Sequence, residues 1–298
     1  MSRTGANLLL LLTAVIWGSA FVAQRTGMDH LGPMAFTAAR FLVGGLCVLP
    51  LAIGRLRRGA GMGRPGAMGW FAMAATGGAL FAGAALQQVG IGLTSVTNAA
   101  FLTGLYVPLV PLLGLFVLRR FPHPIVWPAA AGCLFGTWLL SGAGTVALSQ
   151  GDWWVIAGAG FWAAHVLLVG AVSTRTGEPT IVAAVQFLVC AALAGIFAAA
   201  TETTALADLR MAWREIAYAG VLSVGLAFTF QAVAQRWTAP WDAAIILSSE
   251  MVFAALAGAV FLAERPTPVE LSGCAVILAC ILVVQVVPMR RIAAVPAE

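Results

Sequence analysis

The sequence contains no lysine, and all 16 of its basic residues are arginine. Charge of any kind is scarce, with Asp, Glu, Lys and Arg together making 9% of the chain. A soluble domain carries about a quarter charged residues, because its surface has to be polar. The 16 basic and 11 acidic groups cannot cover a soluble body of 298 residues. This excludes the ordinary soluble enzyme, the nucleic-acid binder and the disordered chain. The net charge of +5 does not point to nucleic acid, because the arginines sit in short segments between apolar runs. Cys47, Cys133, Cys190, Cys274 and Cys280 lie inside apolar runs and form no CxxC pair, so neither a disulfide framework nor a metal site is indicated. There is no HExxH, no Gly-x-Ser-x-Gly elbow and no GxxxxGK[ST] loop. A membrane enzyme is therefore disfavoured, direct use of ATP would need a partner, and no cofactor is expected.

What is abundant is apolar sequence: 61% of residues are hydrophobic and mean hydropathy is +0.97. A bilayer core about 30 Å thick needs about 20 apolar residues in a helix. Strand-like alternation is absent, which argues against an outer-membrane barrel. Charges, Pro/Gly clusters and Arg pairs divide the chain into ten expected helices, at 5–26, 33–53, 67–90, 95–118, 125–146, 153–173, 180–200, 213–235, 240–262 and 268–288. The expected fold class is an all-α polytopic membrane protein, with the lipid bilayer as its first partner. Arg3 followed by an apolar run superficially fits a signal peptide. That run has a counterpart in the second half of the chain, so it is read as structural.

Shifting the sequence by 144 residues lays 87–124 on 231–268 with ten identities in 38 positions, where chance in this composition gives roughly 4. The matches include Gln87/Gln231, Thr94/Thr238, Ala99-Ala100/Ala243-Ala244, Gly114/Gly258, Pro122/Pro266 and Pro124/Pro268. Trp17 pairs with Trp162 at a shift of 145, and Phe41-Leu42-Val43 with Phe187-Leu188-Val189 at 146. The chain divides into five-helix repeats at 1–147 and 148–298. Five is odd, so the second repeat enters the membrane inverted, an architecture that recurs in transporters because rocking two halves gives alternating access.

The motif Ala-Val-Ile-Trp-Gly-Ser-Ala-Phe (14–21) resembles the drug/metabolite transporter superfamily, as do Ala-Ala-Arg-Phe (38–41), Ala-Ala-Ile-Ile-Leu-Ser-Ser-Glu (243–250) and Leu-Ala-Glu-Arg (262–265). Over nearly its whole length the chain is similar to the ten-helix, EamA-type exporters, and within them most like bacterial aromatic amino acid exporters. The resemblance implies an inner-membrane secondary transporter. Its cargo would be small organic solutes, most of all aromatic and other neutral amino acids; drugs and other metabolites of the superfamily are the alternative. It also implies a central cavity lined by helices one, three and four with their mates six, eight and nine. Two departures stand out: Glu250-Met251 where the family often has Glu-Pro, and Arg120 where the mate is Glu264. The first leaves bending of the ninth helix open; the second makes Arg119-Arg120 a topology signal. A channel would conduct far faster and would not saturate, but no filter-like motif is visible.

An ionisable side chain at bilayer mid-depth costs about 2.5–3.5 kcal/mol or more, so it faces a cavity or a partner. Glu250, the repeat mate of Tyr106, reads either as a cavity carboxylate for a substrate amine or a proton, or as a hydrogen-bonded structural Glu. It could also be half of a buried pair with His165. His165, the mate of Ala20, is either a cavity residue or a His bonded to a backbone carbonyl. Arg40 either snorkels outward, pairs with a carboxylate or meets the substrate directly. Asn98, Gln87, Gln88, Gln231 and Gln235 flank the repeat-matched Ala-Ala segments and either line the cavity or join helices. Trp17, Trp138 and Trp162 lie too deep for an interfacial belt, and Trp17 and Trp162 are candidates to stack on a solute; Trp153 and Trp154 read as belt residues. The candidate substrate-binding set is Trp17, Gln87, Asn98, Tyr106, Trp162, His165 and Glu250. Pro108 and Pro111 are expected to interrupt the fourth helix, and the ninth lacks them. Gly132-x-x-x-Gly136 permits close helix contact and reads as packing within the chain before a dimer seam, compatible with a monomer.

With the N-terminus in the cytoplasm, eleven arginines fall inside (3, 55, 57, 58, 64, 119, 120, 175, 236, 290 and 291) and four outside (25, 210, 214 and 265). The positive-inside rule then places both termini in the cytoplasm. A reporter fused after Glu298 is expected to show cytoplasmic behaviour; a periplasmic signal would break the ten-helix inverted-repeat scheme.

Overall fold

The computed structural model describes residues 1–58, 65–94, 96–117, 119, 121–141, 143, 148–261 and 265–286, with the backbone alone for 96–98, 258, 261, 285 and 286. Arg64, Arg120, Glu264, Arg290 and Arg291 lie outside the described residues, as does the expected end of the fifth helix. Every regular element among the described residues is helical. In hydrocarbon no water can satisfy backbone N–H and C=O groups, and a helix satisfies them within one segment. Spans one to three are single helices: α1 (Arg3–Gly27), α2 (Pro33–Arg58) and α3 (Ala67–Leu93). The fourth span is two pieces, α4 (Val96–Thr103) and α5 (Tyr106–Val117), and the fifth is α6 (Val126–Leu140). The second half begins with α7 (Gln150–Thr176) and α8 (Pro179–Thr201), followed by the short α9 (Leu206–Met211). The eighth span joins α10 (Trp213–Ala217), a π-helix over Tyr218–Phe228 and α11 (Thr229–Ala234). The ninth span is again two pieces, α12 (Pro240–Leu247) and α13 (Glu250–Phe261), and α14 (Pro268–Val286) is the tenth.

Eight of these spans are long and apolar enough to cross a bilayer, and α6 and α14 are shorter apolar helices. The 15 residues of α6 cover about 22 Å at 1.5 Å per residue. The molecule is a multi-pass membrane protein with ten apolar spans among the described residues, five in each half.

The packing obeys the repeat. Span two lies on span seven, and span five on span ten, each span meeting its own mate. Span three packs on span six as span eight packs on span one, and span one meets span nine as span six meets span four. Small residues make these approaches possible. A Cβ on Gly18 would stand 2.6 Å from the Glu250 carbonyl oxygen, so only hydrogen there lets α1 lie against α13. A Cβ on Gly136 would meet the Gly273 carbonyl at 2.9 Å. The Gly132-x-x-x-Gly136 face is therefore used inside the chain, against α14.

The helix breaks were only half legible. Pro108 and Pro111 do not interrupt the fourth span; the break comes earlier, at Gly104-Leu105, and both prolines follow within α5. The ninth span breaks without any proline at Ser248-Ser249, the repeat equivalents of Gly104-Leu105. Both breaks carry the same short bonds. Leu105 N donates to Leu102 O and Val107 N to Gly104 O; 144 residues on, Ser249 N donates to Ile246 O and Met251 N to Ser248 O. The Ser248 and Ser249 hydroxyls also donate to Ile245 and Ile246 carbonyls at 2.6 and 2.7 Å. A local tightening of the helix, rather than a proline clash, turns both spans.

Two further devices hold the ends. The Glu202 carboxylate accepts from Met34 N and Ala35 N, each at 2.8 Å, and so caps the start of α2 from the end of α8. The π-helix turns its carbonyls toward α1, where Ser223 O accepts from Trp17 Nε1 at 3.2 Å and Ala227 O from Thr13 Oγ1 at 3.1 Å.

Gly18→Leu is expected to cost about 1–3 kcal/mol through overpacking between α1 and α13. Gly78→Ala, where a Cβ has nothing within 4 Å, is expected to be neutral or slightly stabilising. Thermal unfolding of the two purified variants in detergent measures the contrast.

Candidate functional site

A cavity of about 50 Å³, room for a few water molecules, lies at the meeting of the two halves. Its wall is drawn from spans one (Trp17, Phe21, Gln24), three (Gln87), four (Thr103, Tyr106), six (Trp162, Val166), eight (Ser223, Phe228, Gln231) and nine (Leu247, Glu250), with Arg40 from span two. The helix breaks open onto this space: Tyr106 and Glu250 are each the first helical residue after a break. Repeat mates thereby face one another, and the Tyr106 hydroxyl stands beside the Glu250 carboxylate. Tyr106 Oη also points to the Ala244 carbonyl, at 3.5 Å.

Three aromatic rings form one side of the cavity. Phe228 lies 4.4 Å from Trp17 and 6.0 Å from Trp162, in the second case nearly parallel at 16°. Phe228 thus fills the space between the two repeat-related tryptophans. Each indole is also tethered, Trp17 to Ser223 O and Trp162 Nε1 to Gln87 Oε1 at 3.0 Å. Gln87 Nε2 continues to Thr103 Oγ1 at 3.3 Å. The mate of this chain is broken: Thr103 corresponds to Leu247, and both amide atoms of Gln231 are buried without a partner.

Of the seven candidate residues, Trp17, Gln87, Tyr106, Trp162 and Glu250 line the cavity. His165 does not. It stands behind the rings, edge-on to Trp162 at 5.8 Å and to Phe228 at 5.9 Å. Its Nε2 donates to Gln186 Oε1 at 2.8 Å, so its partner is a side-chain amide rather than a backbone carbonyl or Glu250. The side chain of Asn98 lies outside the described ones. Gln88 and Gln235 join helices instead, donating to Gln24 O at 3.1 Å and Val166 O at 3.0 Å. Trp138 is not a deep residue; it is 36% exposed near the end of α6 and packs on Phe135. Trp153 and Trp154 are exposed at the start of α7, as a belt requires.

Arg40 does not snorkel, and among the described residues it pairs with no carboxylate. It is 3% exposed, its guanidinium carbon lies 5.9 and 5.0 Å from the Phe36 and Phe41 ring centres, and its Nε has no hydrogen-bond partner. Arg40 was among the sequence candidates and does line the cavity, whereas Phe228, Ser223 and Gln24 were missed in the sequence. Phe228 has no motif; only the π-turn brings it between the tryptophans.

Both ends of the molecule carry a matched latch. Thr94 Oγ1 donates to Asp152 Oδ1 at 2.7 Å, and Thr238 Oγ1 to Asn7 Oδ1 at 3.2 Å. Thr94 and Thr238 are repeat mates, and Asn7 and Asp152 correspond at the same shift as the two tryptophans. Because five spans separate them, the latches sit at opposite ends. The second is reinforced by an Arg3–Asp242 ion pair at 3.3 Å. The first is reinforced by the Ser149 cap on Asp152, with Ser149 N donating at 2.7 Å.

Two repeated halves, paired helix breaks and a cavity lined from both halves define a transporter-like membrane protein. The family model of the EamA-like transporter family matches twice, over residues 4–142 and 149–286. The chain belongs to that family, within the drug/metabolite transporter superfamily, a family of transporters and not of enzymes. An uncharacterized transporter of Archaeoglobus fulgidus is 30% identical over 95% of this chain and 87% of its own length. The uncharacterized transporter YwfM of Bacillus subtilis is 26% identical, over 96% of this chain and 95% of its own. A solved crystal structure with 20% identity superposes with a TM-score of 0.77, covering 95% of this chain and 96% of that one, and so shares the fold.

With the native cysteines replaced, a single Cys at position 17, 87 or 250 is expected to react with a water-soluble thiol reagent in at least one transport condition. A Cys at position 186, behind the rings, should stay protected. Equal protection at all four positions would show a dry, packed interior.

Proposed function

We propose that this transporter exports small organic solutes, chiefly aromatic and other neutral amino acids, by alternating access between residues 1–147 and 148–298. The observation that carries the reading is the juxtaposition of a carboxylate, Glu250, with an aromatic wall of Trp17, Trp162 and Phe228 in one cavity at a double helix break. The rings suit an apolar or aromatic side chain, and the carboxylate suits an ammonium group. Gln87 holds Trp162 within that wall, Tyr106 stands beside Glu250, and His165 positions Trp162 from behind. The matched latches supply the gates: Asn7–Thr238 closes one end and Asp152–Thr94 the other, and the two are released in turn. Both termini then face the cytoplasm of an inner membrane.

The test is uptake of a labelled amino acid panel into proteoliposomes, with and without a proton gradient. Saturable uptake of aromatic and neutral amino acids supports the reading, and movement of none of them removes it. Glu250→Gln keeps shape but loses the charge that an ammonium group needs. A charge-assisted hydrogen bond contributes about 1.5–3 kcal/mol, so zwitterion transport per inserted molecule should fall roughly ten- to a hundredfold. Near wild-type rates would assign Glu250 to packing alone.

A further inference from the structure

We infer that Arg40 is the anion-binding subsite of the cavity and that the transported solute must carry a carboxylate. This rests on the reading of the cavity as the transport site and adds the recognition of the second charged group. The guanidinium is held in place from below by Phe36 and Phe41, which attract a cation through their ring faces but accept no hydrogen bond in its plane. Its Nε is buried and unpartnered, and among the described residues no carboxylate stands within ion-pair distance of it. A permanently charged, buried guanidinium in an apolar interior requires a counter-charge or a set of acceptors. The described residues do not supply it, and Arg40 lines the cavity.

The repeat shows why the place is vacant of protein partners. At the shift that aligns Phe41 with Phe187, Arg40 corresponds to Gln186. In its half Gln186 Oε1 accepts from His165, whose own mate is Ala20, while Gln186 Nε2 is left buried without a partner. The first half thus has the stronger donor, Arg40, and a methyl group where the second half has an imidazole. A planar carboxylate is the ligand that matches a guanidinium fork best. With Glu250 on a different span for the ammonium and the ring trio for the side chain, the cavity discriminates three parts of one solute.

The experiment uses the full chain in proteoliposomes and three aromatic solutes: phenylalanine, its methyl ester and 3-phenylpropionate. Their binding is read by intrinsic tryptophan fluorescence and their movement by flux. In the wild type, masking the carboxylate as the ester should weaken binding about thirtyfold or more, the loss expected when one partner of a buried charge pair is removed. This comparison does not depend on any variant folding. Arg40→Gln should erase the difference between acid and ester, and Arg40→Lys should restore part of it. If the ester binds and moves as well as the free acid, the carboxylate subsite is overturned. If 3-phenylpropionate equals phenylalanine while the ester fails, Arg40 holds and the ammonium role of Glu250 falls. Silence of all three solutes overturns both.

Discussion

The constraint behind this structure is that hydrocarbon offers backbone amides nothing to bond with. Every span must therefore be a helix, and any interruption has to be satisfied from within the protein. The two interruptions, at Gly104-Leu105 and Ser248-Ser249, meet that condition through the same three-residue hydrogen bonds, helped in the second by two serine hydroxyls. They occur where the chain borders a cavity, which is where irregular backbone is tolerated in a membrane protein. Tyr106 and Glu250 sit there as a consequence.

Symmetry then organises the packing, and its violations organise the chemistry. The close helix pairs, the breaks and the end latches all recur in both halves. The polar groups do not. Gln87 is bonded on both sides while Gln231 is free, Tyr106 faces Glu250, and Arg40 replaces Gln186. A duplicated scaffold allows two equivalent access routes, whereas a single asymmetric solute needs unlike groups on unlike walls. The departures from symmetry collect around the cavity.

The aromatic cluster links the two demands. Phe228 touches both repeat-related tryptophans and is backed by His165 and Phe187. A shift of one half relative to the other must repack these rings, because interiors at this density do not deform continuously. The same rings therefore form a wall of the cavity and a contact between the two halves.

The sequence alone was enough for the number of spans, the duplication and the family, because hydropathy over about 20 residues and a constant shift between repeats are local or one-dimensional signals. It also picked out Trp17, Gln87, Tyr106, Trp162 and Glu250, since each is either a costly polar group in an apolar run or the mate of one. Direction of side chains was a different matter. His165 and Arg40 looked alike, two ionisable groups near mid-depth, yet one is turned behind the rings and the other toward the cavity. Trp138 read as deep because it falls well inside the fifth helix expected over 125–146, whereas α6 ends at Leu140. The break at Ser248-Ser249 has no proline to announce it, and Phe228 reaches the tryptophans only through a π-turn. Such features depend on which faces meet across distant segments, and only the packed tertiary structure decides that.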